Sequence, residues 1–132
     1  MRVMLDTNIL ISAIVFRSKP MNIIINLLAE KYSLVLCSYI IDELHEVVDE
    51  KFGDKKNNLE KFLLELPFEL VYTPKLLPRH DLFTISDSDD EKILYSAIIA
   101  DIDILVTGDK HYSEVEIERP EILSPAEFLA KY

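Results

Sequence analysis

The amino-acid sequence predicts an α/β fold with a mainly parallel sheet. Three observations lead there. The short runs at 3–5, 34–37 and 104–106 are apolar at every position rather than at alternate ones, the pattern of strands covered on both faces. Longer runs between them carry apolar residues at helical spacing. Strands and helices therefore alternate along the chain, which is how parallel strand–helix–strand units are written in sequence.

Each element has its own reason. The first strand, 3–5, stops on Asp6, with Thr7 and Asn8 in the turn to a helix over 9–16. Arg17-Ser18-Lys19-Pro20 breaks that helix. A second helix over 21–30 places Ile24, Leu27 and Leu28 on one side, and 33–37 is the second strand. Ser38 is a capping residue for a helix over 39–51 whose apolar face carries Ile40, Leu44, Val47 and Val48, with Glu43 beside that face. Residues 57–66 form a further amphipathic helix with Leu59, Phe62, Leu63 and Leu66 inward, closed by Pro67. A third strand follows over 69–72. Residues 73–85, with Pro74 and Pro78, read as irregular, and a helix over 89–100 buries Ile93, Leu94, Ala97 and Ile98. The fourth strand is 104–106 and a short fifth lies around 122–123. Ser124, Pro125 and Glu127 have the spacing of a capping box with proline at the first helical position, so a short terminal helix docks Phe128 and Leu129.

Length and composition bound the function. At 132 residues, 49% hydrophobic, the chain suits one domain over 1–132, with no linker, repeat or low-complexity tract. The single cysteine, Cys37, excludes an internal disulfide and a multi-cysteine zinc site, and fits a reducing compartment. Asp6 and Asn8 interrupt the amino-terminal apolar run, so it is not a signal peptide. Nothing approaches the ~20 apolar residues of a membrane span. A cytoplasmic protein is expected. The net charge of −10 argues against nonspecific nucleic-acid binding, although carboxylates that hold cations would be neutralised locally.

Four acids stand out. Asp6 and Asp109 each follow a buried strand, and in open parallel sheets that edge is where ligands bind. If the two strands are neighbours, both acids reach one cleft. Each also has an ordinary use as a turn residue. Asp90 lies in the first turn of a helix, where negative charge suits the helix dipole in any case. Within the run 87–91, Ser88 and Glu91 have capping-box spacing, which leaves Asp90 freer to enter the cleft; we favour it over Asp87 and Glu91. Glu43 reads equally as a site residue or as an exposed helix acid. Thr107 is placed to hydrogen-bond a carboxylate or phosphate, and Gly108 to permit close approach. Converging carboxylates repel unless a proton or cation intervenes. An oxygen-only set suits Mg²⁺ or Mn²⁺, and such ions orient water for attack on phosphate esters in nucleases and phosphatases alike. His45, His80 and His111 form no motif, and His111 reads as a surface residue.

Taken together, these residues resemble a PIN domain, and within that superfamily the toxin components (VapC-like) of toxin–antitoxin pairs. The resemblance rests on Leu5-Asp6-Thr7-Asn8, Glu43, the run from Asp87 to Lys92, Val106-Thr107-Gly108-Asp109 and the closing Ser124 to Leu129, in that order. Ser88 stands where the family commonly has proline, and Glu91 where Asp or Asn is commoner; neither removes a core acid. The resemblance implies a three-layer α/β/α sandwich and a Mg²⁺- or Mn²⁺-dependent endoribonuclease. It implies Asp6, Glu43 and Asp90 as metal ligands, Asp109 as the fourth acid, Asn8 orienting Asp6 or touching substrate, and Thr107 supporting the cluster. It also implies a small antitoxin partner and a homodimer.

Two other readings belong to other classes. An aspartyl-nucleophile phosphatase also begins with an acid after its first strand, but wants a second Asp where this chain has Asn8. A non-catalytic RNA- or protein-binding module has no use for four converging carboxylates. For an RNA enzyme, Arg17, Lys19, Lys110 and His111 are the basic residues expected at the cleft rim.

Overall fold

In a computed structural model, residues 1–75 and 88–132 are described, with the backbone alone described for 88, 113 and 114. Val3, Met4 and Leu5 have no exposed surface, and with Arg2 they form β1 (Arg2–Leu5). There follow α1 (Thr7–Ile14), α2 (Lys19–Lys31), β2 (Ser33–Cys37), α3 (Ser38–Lys51), α4 (Lys56–Glu65) and β3 (Glu69–Val71). The described chain then resumes with α5 (Ser88–Ile99), β4 (Ile104–Val106), β5 (Glu121–Leu123) and α6 (Pro125–Lys131). Short 3₁₀ turns occupy Gly53–Lys55 and Lys110–Glu114.

The strands lie side by side in the order β3-β2-β1-β4-β5, and every pairing is parallel. The chain runs outward from β1 to β2 and β3, then returns past β1 to β4 and β5. With right-handed crossovers, that reversal sends the connecting helices to opposite faces, giving an α/β/α sandwich. It also makes the gap between β1 and β4 a topological switch point, where the loops at the carboxyl ends part and leave a crevice. Leu5 pairs with Val106 in register, so Asp6 and Thr107 leave the sheet at the same level.

The core forms on both sides of β1. Leu10, Ile24, Leu28, Ile40 and Leu44 are fully buried on the helices of the first half, and Leu94, Ala97 and Phe128 on those of the second. Fully burying one such aliphatic side chain contributes roughly 1.5–3 kcal/mol, so these helices are held by their inward faces. Cys37 is a buried thiol. Among the described residues, no single helix is long and apolar enough to cross a membrane.

Local differences from the sequence expectation have identifiable causes. Thr7 and Asn8 are not in a turn; α1 begins at Thr7, because Asp6 is itself the capping residue and its Oδ1 accepts from the Thr7 amide. The break between α1 and α2 falls at Arg17, which has φ 53°, while Pro20 sits inside the first turn of α2, where a missing N–H costs nothing. Ser38 is the first residue of α3 rather than its cap. Its Oγ accepts instead from the Thr73 amide at 2.9 Å, and the Tyr39 amide donates to Thr73 Oγ1 at 3.1 Å, tying α3 to the segment after β3. On α4 only Leu59 is buried; Phe62, Leu63 and Leu66 are half-buried at the margin of the core. Ser88 is the first residue of α5 rather than its cap. The irregular stretch expected over 73–85 lies outside the described residues from 76 onward, as do His80 and Asp87. The capping box of Ser124 and Glu127 is present in full, with Pro125 opening α6.

Candidate active site

The site is built from two strand ends. The Asp6 amide donates to the Val106 carbonyl at 3.0 Å and the Thr107 amide donates to the Leu123 carbonyl at 2.9 Å. These bonds extend the sheet one residue past its strands and fix both side chains over the crevice. Thr107 is the junction: its hydroxyl donates to Asp6 Oδ2 at 2.8 Å and accepts from the Asp109 amide at 3.0 Å. A residue 101 positions away in sequence thus orients the Asp6 carboxylate, whose other oxygen is held by the Thr7 amide at 2.7 Å. Among the described residues these two groups hold Asp6; Asn8 is exposed on the first turn of α1 and does not.

Asp109 caps the 3₁₀ turn that follows β4, its Oδ1 accepting from the His111 amide at 2.9 Å. The turn swings the His111 ring back over the cleft. Its Nδ1 lies 3.0 Å from Asp90 Oδ2 and 3.1 Å from Asp109 Oδ1. A carboxylate only accepts, so Nδ1 is the donor in that bridge. Of the acids at 89–91, Asp90 is the buried one, while Asp89 is exposed and Glu91 half-buried. The Tyr112 hydroxyl, nearly fully buried beneath the cluster, donates to the Asp90 backbone carbonyl at 3.2 Å. Its pKa is pushed up by burial first and then by the negative charge of Asp6, Asp90 and Asp109.

Electrostatics reports the same convergence. Burial holds the Asp6 carboxyl above its ordinary value; the bonds from Thr107 and Thr7 pull it down, and repulsion from Glu43 and Asp109 pushes it up again. Glu43, half-buried on α3, is therefore within electrostatic reach of Asp6. Ligand atoms of Asp90, Asp109 and His111 all come within 4.8 Å of one another. Asp6 and Glu43 border this group and are not part of it.

The donor set fits a divalent cation. Two carboxylates and a ring nitrogen converge, each offering one ligand atom to a shared position. The sequence suggested an oxygen-only set; the group brought together here adds the His111 ring to two of its acids. His111, expected from sequence as an exposed basic residue at the cleft rim, is exposed and also reaches two of the acids; Tyr112 had no signal in the sequence. His45 is a helix residue bonded through Nδ1 to the Ile41 carbonyl at 2.9 Å. A cavity of about 530 Å³ opens beside the cluster, lined in part by Asp109, Lys110, Tyr112 and Ser124. It includes none of Asp6, Glu43 or Asp90, so it flanks the acids rather than containing them. At Gly108 a Cβ would meet nothing within 4 Å, so the space outside that backbone is open.

Two solved structures share this fold. The structure superposes on VapBC2 from Rickettsia felis, solved bound to a DNA fragment from its promoter, with a TM-score of 0.71 at 23% identity over 93% of this chain and 97% of that one. It also superposes on VapC20 of Mycobacterium tuberculosis, described as a sarcin-ricin loop cleaving toxin, with a TM-score of 0.62 at 13% identity over 84% and 92% of the two chains. No curated protein sequence matches. A family model described as the PIN domain matches residues 2–111, which takes in both strand ends and every acid discussed above. The chain belongs to the PIN domain family.

Proposed function

We propose that this protein is a metal-dependent endoribonuclease, with residues 1–132 acting as one domain. The observation that carries the reading is the hydrogen-bonded chain Asp6–Thr107–Asp109–His111–Asp90, which links two acids at the carboxyl edge of β1 and β4 with one from α5, at the switch point of a parallel sheet. Asp6, Glu43, Asp90 and Asp109 are the acids that would hold Mg²⁺ or Mn²⁺. When bound, such an ion activates water and stabilises negative charge on the phosphate.

The protein's own residues supply the rest. Thr107 and the Thr7 amide hold Asp6 in one orientation, which keeps the negative charge of the cluster fixed before substrate arrives. The Asp109 carboxylate is fixed by the His111 amide in the same manner. Asn8, exposed beside Asp6, offers an amide to a phosphate or a ribose hydroxyl. Arg17, Lys19 and Lys110 are exposed and offer positive charge to the RNA backbone, which a chain of net charge −10 needs locally.

A toxin role follows from the fold neighbours. One is the VapC of a complex with its VapB, and the other is named for cleaving the sarcin-ricin loop. By that likeness we assign this chain to the toxin side of a toxin–antitoxin pair, acting in the cytoplasm on RNA, bound when inactive by a small antitoxin, and assembled as a homodimer.

The test is cleavage of a labelled structured RNA with Mn²⁺ or Mg²⁺, with EDTA, and with Asp109→Asn. Cleavage should require the metal and fall ~100-fold or more in the variant, the scale of losing one preorganised charge-stabilising group. Cleavage that survives EDTA or the substitution would overturn the assignment. RNA binding without cleavage would favour a non-catalytic module instead.

A further inference from the structure

We propose that His111 is a direct ligand of the divalent cation beside Asp90 and Asp109, so that it turns the acid site into a mixed nitrogen–oxygen centre that prefers Mn²⁺ to Mg²⁺. The inference rests on the metal-dependent reading above and adds to it a ligand and a metal preference.

Three observations support it. The His111 ring reaches both carboxylates through one atom, Nδ1, at 3.0 and 3.1 Å. A surface histidine making a chance contact would meet one acid; this one sits at the point where two of them converge. The ring is also held in place by its own backbone. The His111 amide donates to Asp109 Oδ1 and the 3₁₀ turn is capped by Asp109, so ligand and ligand-bearing backbone form one unit. The neighbouring Tyr112 anchors that unit from below, through its hydroxyl bond to the Asp90 carbonyl. The turn after β4 and the first turn of α5 are thereby locked together, and the positions of Asp90 and His111 are set jointly although 21 residues separate them.

Donor chemistry then sets the metal. Mg²⁺ takes oxygen donors and water almost exclusively, whereas the first-row transition ions accept a ring nitrogen, Mn²⁺ the most weakly of them. Nδ1 already faces an oxygen of each carboxylate, so the three ligand atoms surround one position that a cation could share. Asp6, joined to the Asp109 backbone through Thr107, remains an oxygen donor beside this triad.

The test uses the untagged full chain and Mn²⁺ alone as probe. Pulsed EPR should show modulation from a directly bound ¹⁴N in the native protein and none in His111→Ala. His111→Gln, which keeps a hydrogen-bonding group near the acids, guards against a folding defect and should also lack the nitrogen signal. Mn²⁺ affinity should fall at least ~10-fold in both variants, while Mg²⁺ affinity falls less, so the Mn²⁺/Mg²⁺ ratio drops. Bound Mn²⁺ with no nitrogen coupling in the native protein, or coupling that persists in His111→Ala, would overturn the ligand assignment and leave the carboxylate site standing. A folded native protein that binds no Mn²⁺ would overturn both.

Discussion

Asp6 is held by two hydrogen bonds and repelled by two acids, and burial keeps its carboxyl above the ordinary value of 3.8. The sign of the consequence is definite. Above 3.8 the unfolded chain has given up this proton while the folded one still keeps it, so stability falls as pH rises toward the raised folded value. Asp6→Asn should flatten the pH dependence of thermal unfolding in that interval. At neutral pH without metal it should melt no lower than the native protein, since the amide still accepts from Thr7 and donates to Thr107. A lower melting temperature across the range would mean the carboxylate is a structural group. Thr107 gives the complementary case. Thr107→Val removes the donor to Asp6 and orphans the Asp109 amide. The unsatisfied polar groups should cost ~1–3 kcal/mol in urea unfolding. The misplaced acids should lower metal affinity or cleavage by ~10–100-fold. Unchanged metal affinity would remove Thr107 from the site.

At the scale of elements, what was legible in the sequence was whatever depends on neighbours along the chain. Strands that are apolar throughout could be read because both faces of β1 and β4 are covered, and the acid after each marks the edge. The capping box of α6 could be read because its partners are three residues apart. The start of α1 was misplaced because one residue, Asp6, ends the strand, caps the helix and carries the site. Ser38 was given a capping role because its hydroxyl partner, the Thr73 amide, is 35 residues away. The contacts of His111 with two acids and the place of Tyr112 were not legible for the same reason: they appear only when the turn after β4 meets the first turn of α5. The end of α5 offers a test of local energetics. The Ile102 amide donates to the Ala97 carbonyl at 3.0 Å and the Asp101 amide to that of Ile98 at 3.1 Å, with Asp101 at φ 56°, a Schellman arrangement usually closed by glycine. Asp101→Gly should therefore stabilise the protein by up to ~1 kcal/mol, because the left-handed penalty exceeds both the entropy of glycine and the exposed ion pair with Arg119. A higher urea midpoint checks it; a lower one would mean that the ion pair outweighs the backbone.

At the scale of the whole molecule, a parallel sheet of this order brings acids from distant parts of the chain to one crevice, where we propose that they hold a divalent cation. The reversal of chain direction between β1 and β4 supplies the crevice, and the acids supply the charge. The direct measurement is a calorimetric titration of Mn²⁺ into the metal-free native protein and into Asp6→Asn, with folding of both checked by circular dichroism. The expected result is saturable binding by the native chain that a folded Asp6→Asn loses. Equal binding by the two proteins, or none by a folded native chain, would contradict the account.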